Sequence, residues 1–480
     1  MSKTQKYITI FIQIIIIFPF FALLFFVFPQ SDDYFFAVKI QELGVFEFVK
    51  DMYFNWSGRY FSMFLGAIDP FTINSILLYR LSIFLIHISV IITLYKLLRT
   101  IIKKSVSRLY IIIFTLLFHI IFLNGVIDIY ELLYWYPSVS SYTLGFPLFL
   151  ILITLYLKKQ LNKIRNIYYV TFTSITTLIL IGLHELFIIP TVLFFLITLV
   201  NNYYNKREYK FGIPSLLSAI ISSSIVILAP GNYTRANLID NSFNILSTLY
   251  LIIKGSILII VYFFQNPVFI IGSILFSTII YTLNKENKFT ISIPIIKPYF
   301  VIGAFVIIII SLFLPFNLFL NHLPSGRIFN LVSFFFLIIW FIGIALIINY
   351  YKDKINLIIP KTYTIILYLL IILFSFSGVI IIDKPNLSTK PKDSIYLNGN
   401  ILYSYYVLIF EAKNFKDDFI KRRQSFTIQE VNNESLIVKP LKTHPKILIF
   451  ADLNKIHEPQ KHLFYWEAKY YGKDSVIYKK

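Results

Sequence analysis

Two adjacent carboxylates, Asp32 and Asp33, follow the first long apolar run of this 480-residue chain. Two like charges this close raise the pKa of one of them, which suits a general base that accepts a proton from a hydroxyl group. The same oxygen atoms are also ligands that Mg²⁺ or Mn²⁺ prefers. A structural alternative is that Ser31 or Asp32 caps a helix over 34–53. The doublet is therefore a candidate for proton transfer, for cation binding or for helix capping.

Three arginines lie next to glycine and aromatic residues. Arg59 belongs to a Trp-Ser-Gly-Arg-Tyr segment that begins at Trp56 and ends at Tyr60. Arg235 and Arg327 each follow a turn that contains glycine. Guanidinium groups bind phosphate oxygens in a bidentate manner, and preorganised positive charge stabilises a phosphate leaving group. The pattern favours phosphate binding, and the alternative is that each arginine only extends along apolar surface to the membrane interface.

Other polar residues interrupt apolar sequence in two places. One segment contains Glu131 with the neighbouring Tyr134 and Trp135, and the other consists of His184 and Glu185. The second pair lacks the spacing of an H-E-x-x-H zinc motif, because the fourth residue after the histidine is isoleucine. A polar turn between two helices is therefore an equal alternative to a ligand-binding role for this pair.

Composition decides which class of protein carries these residues. Hydrophobic residues make up 57% of the chain, aromatic residues 18% and charged residues only 14%, against about 25% charged residues in a soluble domain. Such a low charge excludes a soluble globular enzyme, because it cannot cover a water-facing surface. The net charge of +20 does not indicate a nucleic-acid partner, since excess Lys and Arg in a membrane protein report topology. Cysteine is absent, which excludes disulfides, thiolate metal sites and cysteine nucleophiles.

Apolar runs of about 15–25 residues, the length that spans a hydrocarbon core, predict an all-α polytopic membrane protein. We expect eleven crossings, near 7–29, 72–97, 109–127, 143–157, 167–183, 186–200, 212–229, 268–283, 299–320, 328–349 and 362–382. A further apolar run, 244–265, is expected to be re-entrant or interfacial. A crossing there would move the Lys-bearing loop 284–297 to the other side of the membrane.

Basic residues give the predicted orientation. The N-terminus and a set of loops contain 20 of the 27 Lys and Arg residues that precede residue 383, and these loops lie near 96–108, 158–165, 206–210, 285–297 and 352–361. Because Lys and Arg are enriched in cytoplasmic loops, we expect a multi-pass protein of the cytoplasmic (inner) membrane with its N-terminus inside. The candidate polar residues then lie on the external side, beginning with a first external loop over 30–71.

The last part of the chain differs from the rest. Residues 1–382 form the predicted transmembrane domain, whereas 383–480 have the charge density of a soluble domain. A helical period predicts a helix over Asn400–Gln424, and short apolar runs predict strands over Ser435–Val438 and Ile447–Phe450. We therefore expect a small α+β C-terminal domain on the external, periplasmic side.

Several of these motifs together resemble a known superfamily. They are Ser31-Asp32-Asp33-Tyr34, the Trp-x-Gly-Arg of 56–59, His184-Glu185, Pro230-Gly231-Asn232 with Arg235, and Tyr470-Tyr471-Gly472-Lys473-Asp474. A multi-pass chain with an acidic pair after its first helix looks like the GT-C superfamily of integral-membrane glycosyltransferases. The motifs are most similar to those of an uncharacterised bacterial multipass family of GT-C type, which is itself similar to the serotype-converting glucosyltransferases.

The resemblance implies a GT-C-like fold and a transfer reaction. A sugar carried on a polyprenyl phosphate is presented at the external face of the membrane, and a hydroxyl group of a glycan, lipid or protein acceptor attacks its anomeric carbon. In the superfamily an Asp of the first external loop is the base, which corresponds here to Asp33 or Asp32. Some members use a divalent metal and others do not, so Mg²⁺ or Mn²⁺ at this doublet stays an open alternative.

The chemistry of the remaining candidates fits such a reaction. Arg59, Arg235 and Arg327 would bind the donor phosphate. Sugar or acceptor contacts are expected from a larger set of aromatic and polar side chains: Trp56, Tyr60, Tyr134, Trp135, Glu131, His184, Glu185 and Asn232. The expected partners are the polyprenyl-linked sugar, its acceptor and the lipid bilayer, with no nucleic acid.

Two other functions compete with this one. A lipid-linked glycan polymerase or ligase would use similar chemistry on a longer glycan. A flippase or secondary transporter is an alternative from another class, and transporters place their binding groups near the middle of the membrane. The charged residues of this chain gather towards one predicted face instead.

Overall fold

A computed structural model describes most of the chain. The described residues are 2–204, 206, 208, 210–237, 244–290, 297–317, 323–324, 326–354, 357–376, 380–381, 396–397, 399–428, 435–449 and 463–478. Most of them are helical, as the apolar runs predict.

The first half of the chain contains eleven α-helices. These are α1 (Lys3–Ala22), α2 (Asp32–Leu43), α3 (Val45–Asn55), α4 (Tyr60–Ala67), α5 (Ile76–Ile101), α6 (Arg108–Asn124), α7 (Ile129–Leu133), α8 (Tyr136–Ser138), α9 (Gly145–Gln160), α10 (Asn166–Leu183) and α11 (Ile188–Tyr204). Short 3₁₀ turns follow α1, α4 and α10, at Leu23–Phe26, Pro70–Ile73 and Glu185–Phe187, and a π-helical turn, Val139–Thr143, joins α8 to α9.

The second half continues with helices and adds short strands. The helices are α12 (Gly212–Ile227), α13 (Pro230–Asn237), α14 (Ile245–Phe264), α15 (Pro267–Lys285), α16 (Pro298–Asn317), α17 (Gly326–Tyr351), α18 (Lys361–Phe376), α19 (Asn400–Tyr406), α20 (Ala412–Ile428) and α21 (Leu463–Tyr470). A second π-helical turn, Val407–Glu411, joins α19 to α20. The strands are β1 (Ile380–Ile381), β2 (Tyr396–Leu397), β3 (Ser435–Val438) and β4 (Ser475–Tyr478), which form the antiparallel pair β1–β2 and the parallel pair β3–β4.

The helices confirm a multi-pass membrane protein. Within the described ranges, nine helical segments are long and apolar enough to cross a membrane, and a tenth is added if α12 and α13, which meet at a 40° bend, form one span. Two further apolar helices, α6 and the stretch Thr362–Phe376, are shorter. The all-α polytopic class is therefore confirmed, and the number eleven is not.

Contacts between loops identify a basic end of the helix bundle. The backbone N–H of Lys103, after α5, donates to the carbonyl of Lys288, after α15, at 2.7 Å. The ammonium of Lys6, in the first turns of α1, lies 4.0 Å from the ring centroid of Tyr110 in α6. The N-terminus and two of the predicted cytoplasmic loops thus meet at one end of the bundle.

The run 244–265 differs from its prediction in one respect. It forms the 20-residue α14, which is among the nine segments long and apolar enough to cross, so its length does not mark it as re-entrant or interfacial. Directly after α14, the amide of Asn266 donates to the side chain of Asn124 at 2.9 Å. Asn124 is the last residue of α6, and the first residue of α6 lies next to the basic end. The contact with Asn266 therefore places the start of α15 far from the basic end. α15 then returns to that end, where the basic loop after it lies.

Aromatic stacking packs the helices around α17. Phe334 stacks on Phe146 of α9 with ring centroids 4.1 Å apart and planes 8° apart, and Phe336 stacks on Phe263 of α14 at 4.6 Å. Offset aromatic pairs of this kind contribute about 0.5–1.5 kcal/mol each beyond their buried area. They hold α9 and α14 against α17.

The described part of the C-terminal segment belongs to the same core. Asn400 donates to the carbonyl of Leu123 at 2.9 Å, and the Tyr405 hydroxyl donates to the carbonyl of Ile15 at 2.6 Å, so α19 packs along α1 and α6. Apolar residues of both parts of the chain form one continuous cluster. The predicted boundary between 382 and 383 lies outside the described residues, and the division into two domains stays a prediction.

Two local predictions for this segment have different outcomes. The predicted helix Asn400–Gln424 is confirmed, although the π-helical turn interrupts it, and the strand Ser435–Val438 is confirmed as β3. The prediction of a strand over Ile447–Phe450 is wrong, because 446–448 form a turn. The partner of β3 is β4 instead, which follows Gly472 with its φ of +68°.

The first external loop also differs from its prediction. The expected single helix over 34–53 is two helices, α2 and α3, separated by Gly44 with a φ of +74°. That angle is accessible to glycine at no steric cost and ends a helix. Ser31 precedes α2 but its side chain makes no capping hydrogen bond, so the capping interpretation of the doublet is not supported.

Candidate functional site

A bidentate ion pair joins the first external loop to the turn between α10 and α11. The Nε and Nη2 atoms of Arg59 donate to the two carboxylate oxygens of Glu185 at 2.7 and 2.6 Å. The side chains keep 21% and 27% of their surface exposed. Bidentate pairing fixes the guanidinium plane, and it places both residues at the end of the bundle opposite the basic loops.

A buried tyrosine stands at the centre of this region. The hydroxyl of Tyr142 accepts a hydrogen bond from Arg59. The guanidinium carbon of Arg327 lies 5.8 Å from the Tyr142 ring centroid, and the imidazole of His184 lies 4.4 Å from it. Tyr142 therefore connects residues from the first loop, from the α10–α11 turn and from the start of α17.

A π-helical turn positions Tyr142. Residues 139–143 take this rare geometry between α8 and α9, and single π turns inside helices often occur at functional sites. The sequence analysis missed Tyr142 because it lies at the start of a predicted crossing. The signal that could have found it is the polar Ser140-Ser141-Tyr142 run at that start.

The second arginine of the region is Arg235, and its guanidinium group has no hydrogen-bond acceptor among the described residues. It is half-buried on α13 and interacts electrostatically with Arg59, Glu185 and Tyr142. No acceptor among the described residues forms a hydrogen bond or an ion pair with it. Burial and the neighbouring Arg59 lower the pKa of Arg235, as expected for a cation held beside another cation.

The third arginine is held by a buried glutamate. Glu131 accepts a hydrogen bond from the backbone N–H of Arg327 at 2.6 Å, and its other oxygen lies 3.9 Å from Arg327 Nε. The Arg327 guanidinium also covers the ring of Trp135 at 5.5 Å. A Cβ added to Gly326 would lie 2.5 Å from the Cβ of Asp128, so this turn requires glycine.

Glu131 titrates close to neutral pH. Burial raises the pKa of Glu131 to about 7, the charge of Asp128 adds to the rise, and Arg327 opposes it. A carboxylate of this kind changes its charge within the physiological range. The charge of the Glu131–Arg327 pair therefore depends on pH.

The imidazole of His184 is deeply buried. Its Nδ1 accepts a hydrogen bond from the backbone N–H of Leu186 at 3.2 Å, which caps the 3₁₀ turn after α10. Only 2% of His184 is exposed. Its Nε2 has no hydrogen-bond partner among the residues that the structure describes.

Asn232 has a positioning role. Its side-chain oxygen accepts from the backbone N–H of Gly58 at 3.2 Å, and its nitrogen donates to the carbonyl of Val226 at 2.6 Å. A Cβ added to Gly231 would lie 2.4 Å from the backbone nitrogen of Trp56. The corner between α12 and α13 thus holds the Arg59 loop in place, and the amide of Asn232 is used for this contact.

The two carboxylates of the doublet point to different surroundings. Asp33 is fully buried, and one of its oxygens accepts from the N–H of Gln30 at 2.7 Å and from the hydroxyl of Tyr79 at 3.2 Å. Asp32 is exposed and interacts electrostatically with Arg327. The carboxylate of Asp32 therefore interacts with Arg327, whereas the carboxylate of Asp33 is buried in the core.

Asp33 has a partner that the sequence analysis did not predict. Asp69, also fully buried, hydrogen-bonds to Asp33 through its side chain and accepts from the N–H of Phe71 at 2.8 Å. Burial raises the pKa of Asp69 to about 7, and burial together with Asp69 raises the pKa of Asp33 well above its ordinary value. Two carboxyl groups in this position share a proton. The sequence gives no signal for the pair, since 36 residues separate its members.

The predicted aromatic residues have unequal positions. Trp56 is 45% exposed beside the Arg59 loop, and Trp135 is nearly buried under Arg327. Tyr60 donates its hydroxyl to the carbonyl of Leu178 at 2.6 Å. Tyr134 is fully buried and donates to the carbonyl of Phe20 at 3.0 Å. This placement corrects the assignment of Tyr134 to the sugar site, because both its ring and its hydroxyl belong to the core.

The doublet does not fit a shared cation. Asp32 and Asp33 face different surroundings, and in the described part of the chain no three His, Asp or Glu side chains converge on one point. Mg²⁺ and Ca²⁺ need about six or more oxygen ligands, and a site built by the protein needs several carboxylates. The residues present thus favour hydrogen bonding over metal chelation at Asp33.

Comparison with known proteins gives no relative of this chain. No family model, no curated protein and no solved structure matches it.

Proposed function

We propose that this chain is a membrane glycosyltransferase that moves a sugar from a polyprenyl-phosphate donor to a glycan, lipid or protein acceptor at the external face of the cytoplasmic membrane. The observation that carries the proposal is the group of three arginines, Arg59, Arg235 and Arg327, around Tyr142 at the end of the bundle opposite the basic loops. Arg59 and Arg327 are paired with Glu185 and Glu131, and Arg235 is left as a partly buried cation without an ion-pair partner among the described residues, which favours an anionic ligand.

The arginines have different tasks in this reaction. Glu185 occupies two nitrogens of Arg59, so Arg59 mainly positions the site and adds charge. Arg235 is available for direct contact with phosphate oxygens, and the guanidinium carbon of Arg327 lies 5.8 Å from the ring centroid of Tyr142. Positive charge held in place before the reaction stabilises a phosphate leaving group without reorganisation.

The exposed Asp32 suits the role of base better than Asp33. The acceptor hydroxyl gives its proton to the carboxylate of Asp32 as its oxygen attacks the anomeric carbon, and the bond from that carbon to the phosphate oxygen breaks. The polyprenyl phosphate leaves with the electron pair and gains negative charge near the arginines. Asp33, whose oxygens face Gln30, Tyr79 and Asp69 inside the core, holds the start of α2 in place.

The placement of charge favours a transferase over a transporter. Transporters bind their substrates near the middle of the membrane, whereas the charged candidates here lie at one end of the bundle. Deeper in the bundle, His87 is buried and hydrogen-bonds to the carbonyl of Leu133 at 3.1 Å, which is a structural contact. A polymerase or ligase acting on lipid-linked glycans would share the same phosphate site and differ in the size of its acceptor.

Transfer of labelled sugar tests the function. We expect membranes that contain the protein to move a labelled hexose from polyprenyl phosphate to a membrane-bound acceptor, and membranes that contain Arg235→Gln to do so much more slowly. Lys50→Gln is the matched control, since Lys50 is 63% exposed on α3 and pairs only with Glu47. Equal transfer by membranes with and without the protein would refute the proposal.

The predicted orientation has its own test. The chain has no cysteine, so single cysteines placed at Lys50 and at Glu286 report the two ends of the bundle without background. In intact cells, a membrane-impermeant maleimide should label Lys50→Cys and leave Glu286→Cys unlabelled. The reverse pattern would invert the orientation and place the arginines on the cytoplasmic side.

A further inference from the structure

The contacts of His184 determine which of its nitrogens carries the proton. Backbone N–H groups only donate, so the Nδ1 atom that accepts from Leu186 at 3.2 Å has a free lone pair. The Oε2 atom of Glu185 lies farther from this nitrogen, at 3.5 Å, and already accepts from Arg59 at 2.7 Å. The proton of the neutral ring is then on Nε2. This N–H group is buried and has no acceptor among the described residues.

A buried donor without an acceptor is costly for a fold to keep. Here the charges of Arg59, Arg235 and Arg327 act on the same imidazole and that of Glu185 opposes them, and the ring lies 4.4 Å from that of Tyr142. Arg59 and Arg327 are paired with Glu185 and Glu131, so a neutral acceptor would leave the charge of Arg235 uncompensated. The group that completes the site must therefore bring negative charge together with hydrogen-bond acceptors.

Arg235 adds a second hydrogen-bond donor that lacks an acceptor in the described structure near Tyr142. Its guanidinium interacts with the Arg59–Glu185 pair and with Tyr142, but it has no hydrogen-bond acceptor in the described structure. Arg59, by contrast, has its Nε and Nη2 atoms occupied by Glu185. In the described structure, His184 and Arg235 thus both have donors near Tyr142 that lack an acceptor.

We propose that His184 and Arg235 form an oxyanion subsite that binds a phosphate group, to which His184 donates through the Nε2–H of its neutral ring. The identification of this phosphate with that of the polyprenyl donor rests on the proposed function. The binding chemistry itself is the same for a lipid-linked phosphate and for free phosphate. His184 thus supplies a directional hydrogen bond, and Arg235 supplies the charge.

Two substitutions separate the two nitrogens of His184. In His184→Asn, the side-chain oxygen takes the place of Nδ1 and keeps the contact with Leu186, while nothing reaches the place of Nε2. In His184→Gln, the amide reaches the place of Nε2 and restores a donor. The full-length protein in nanodiscs is titrated with polyprenyl monophosphate and, separately, with inorganic phosphate, and Lys50→Gln is the control.

We expect His184→Asn to weaken binding of polyprenyl monophosphate about tenfold, the loss of one hydrogen bond to a charged group. Its thermal stability without ligand should equal that of the wild type, because the capping contact remains. His184→Gln should recover most of the affinity, and Arg235→Gln should lose at least as much as His184→Asn. Competition by inorganic phosphate would show that the phosphate alone is recognised, and its absence would show that the lipid is also needed.

The outcomes separate this inference from the proposed function. Wild-type affinity in His184→Asn would overturn the inference, even if sugar transfer from polyprenyl phosphate is observed. Phosphate binding that depends on His184, in a protein that transfers no sugar, would support the subsite and refute the transferase. A loss of affinity in His184→Asn that is matched by a loss of stability without ligand would indicate a structural role and also overturn the inference.

Discussion

Two polar clusters lie at the same end of the bundle and differ in how their hydrogen bonds are satisfied. In the carboxyl cluster, Asp33, Asp69 and Tyr79 bond to one another and to backbone groups. In the cationic cluster around Tyr142, Arg235 and the Nε2 of His184 have no acceptor in the described structure. In the first cluster the atoms without another partner are acceptors, Asp33 Oδ1 and Asp69 Oδ2, and a proton shared between the two carboxyl groups satisfies them. In the second cluster they are donors, which require an added acceptor.

This difference indicates which buried polar groups bind a ligand and which stabilise the fold. Both clusters contain ionisable side chains at a depth where such groups are costly. Of the two, the cationic cluster presents unused donors, and the exposed carboxylate of Asp32 interacts with Arg327 of that cluster. We therefore assign a structural role to Asp33 and the role of base to Asp32, although the two are neighbours in sequence.

The largest expected effect distinguishes these two neighbours. Asp32→Asn should lower sugar transfer by about 10²–10⁴-fold, the usual contribution of a general base, without changing the thermal stability of the protein. Asp33→Asn should retain measurable transfer, because the amide can still hydrogen-bond to Asp69. Transfer assays on both variants check this, and wild-type rates in Asp32→Asn would remove Asp32 from the mechanism.

The next effect concerns Arg235, whose guanidinium group has no hydrogen-bond acceptor among the described residues. Arg235→Gln should lower the rate of transfer by about 10²-fold, as the loss of one preorganised transition-state contact does. The unliganded protein should be no less stable, because Arg235 has no partner to lose among the described residues. The rate and the unfolding temperature are measured on the same preparation, and a destabilised protein would mean that Arg235 is structural.

A smaller effect is expected in the stability of the carboxyl cluster. Because the pKa of Asp69 is raised from 3.8 to about 7, its contribution to stability is complete below about pH 4 and is lost as the pH rises through 7. Asp69→Asn keeps a neutral hydrogen bond and cannot ionise. Thermal unfolding at pH 5 and pH 8 should show a decrease of about 1–3 kcal/mol for the wild type and a smaller one for the variant. A wild-type stability that rises with pH would contradict the shared proton.

The smallest effect concerns pH and the cationic cluster. As the pH falls through about 7, Glu131 gains a proton and no longer neutralises Arg327. Binding of polyprenyl monophosphate should therefore strengthen by a few-fold between pH 8 and pH 6. Glu131→Gln should remove this dependence, and an unchanged profile in that variant would assign the titration to another group.

The sequence predicted the types of residue better than their partners. Apolar runs and basic loops are local patterns, so the helices and the basic end could be predicted from them. The cationic cluster was predicted as a set of residue types, because arginine, histidine and glutamate are conspicuous in apolar surroundings. The pairing of Arg59 with Glu185 spans 126 residues and depends on packing that no local pattern records.

The errors have physical causes of the same kind. Tyr134 and Tyr142 both lie between the predicted crossings 109–127 and 143–157, and only the fold decides that the hydroxyl of Tyr134 bonds to Phe20 while that of Tyr142 meets Arg59. The strand over Ile447–Phe450 was predicted from four apolar residues in a row, a pattern that turns also contain. Asp69 was missed because a single carboxylate next to a proline is typical of a turn.

One measurement compares the two clusters directly. Arg235→Gln and Asp69→Asn each remove one charge-bearing group from the same end of the bundle, and both can be titrated with polyprenyl monophosphate in nanodiscs at pH 7. We expect the affinity to fall about tenfold or more in Arg235→Gln and to stay at the wild-type value in Asp69→Asn. Equal affinities in the wild type and in Arg235→Gln would contradict the assignment of the cationic cluster to phosphate binding.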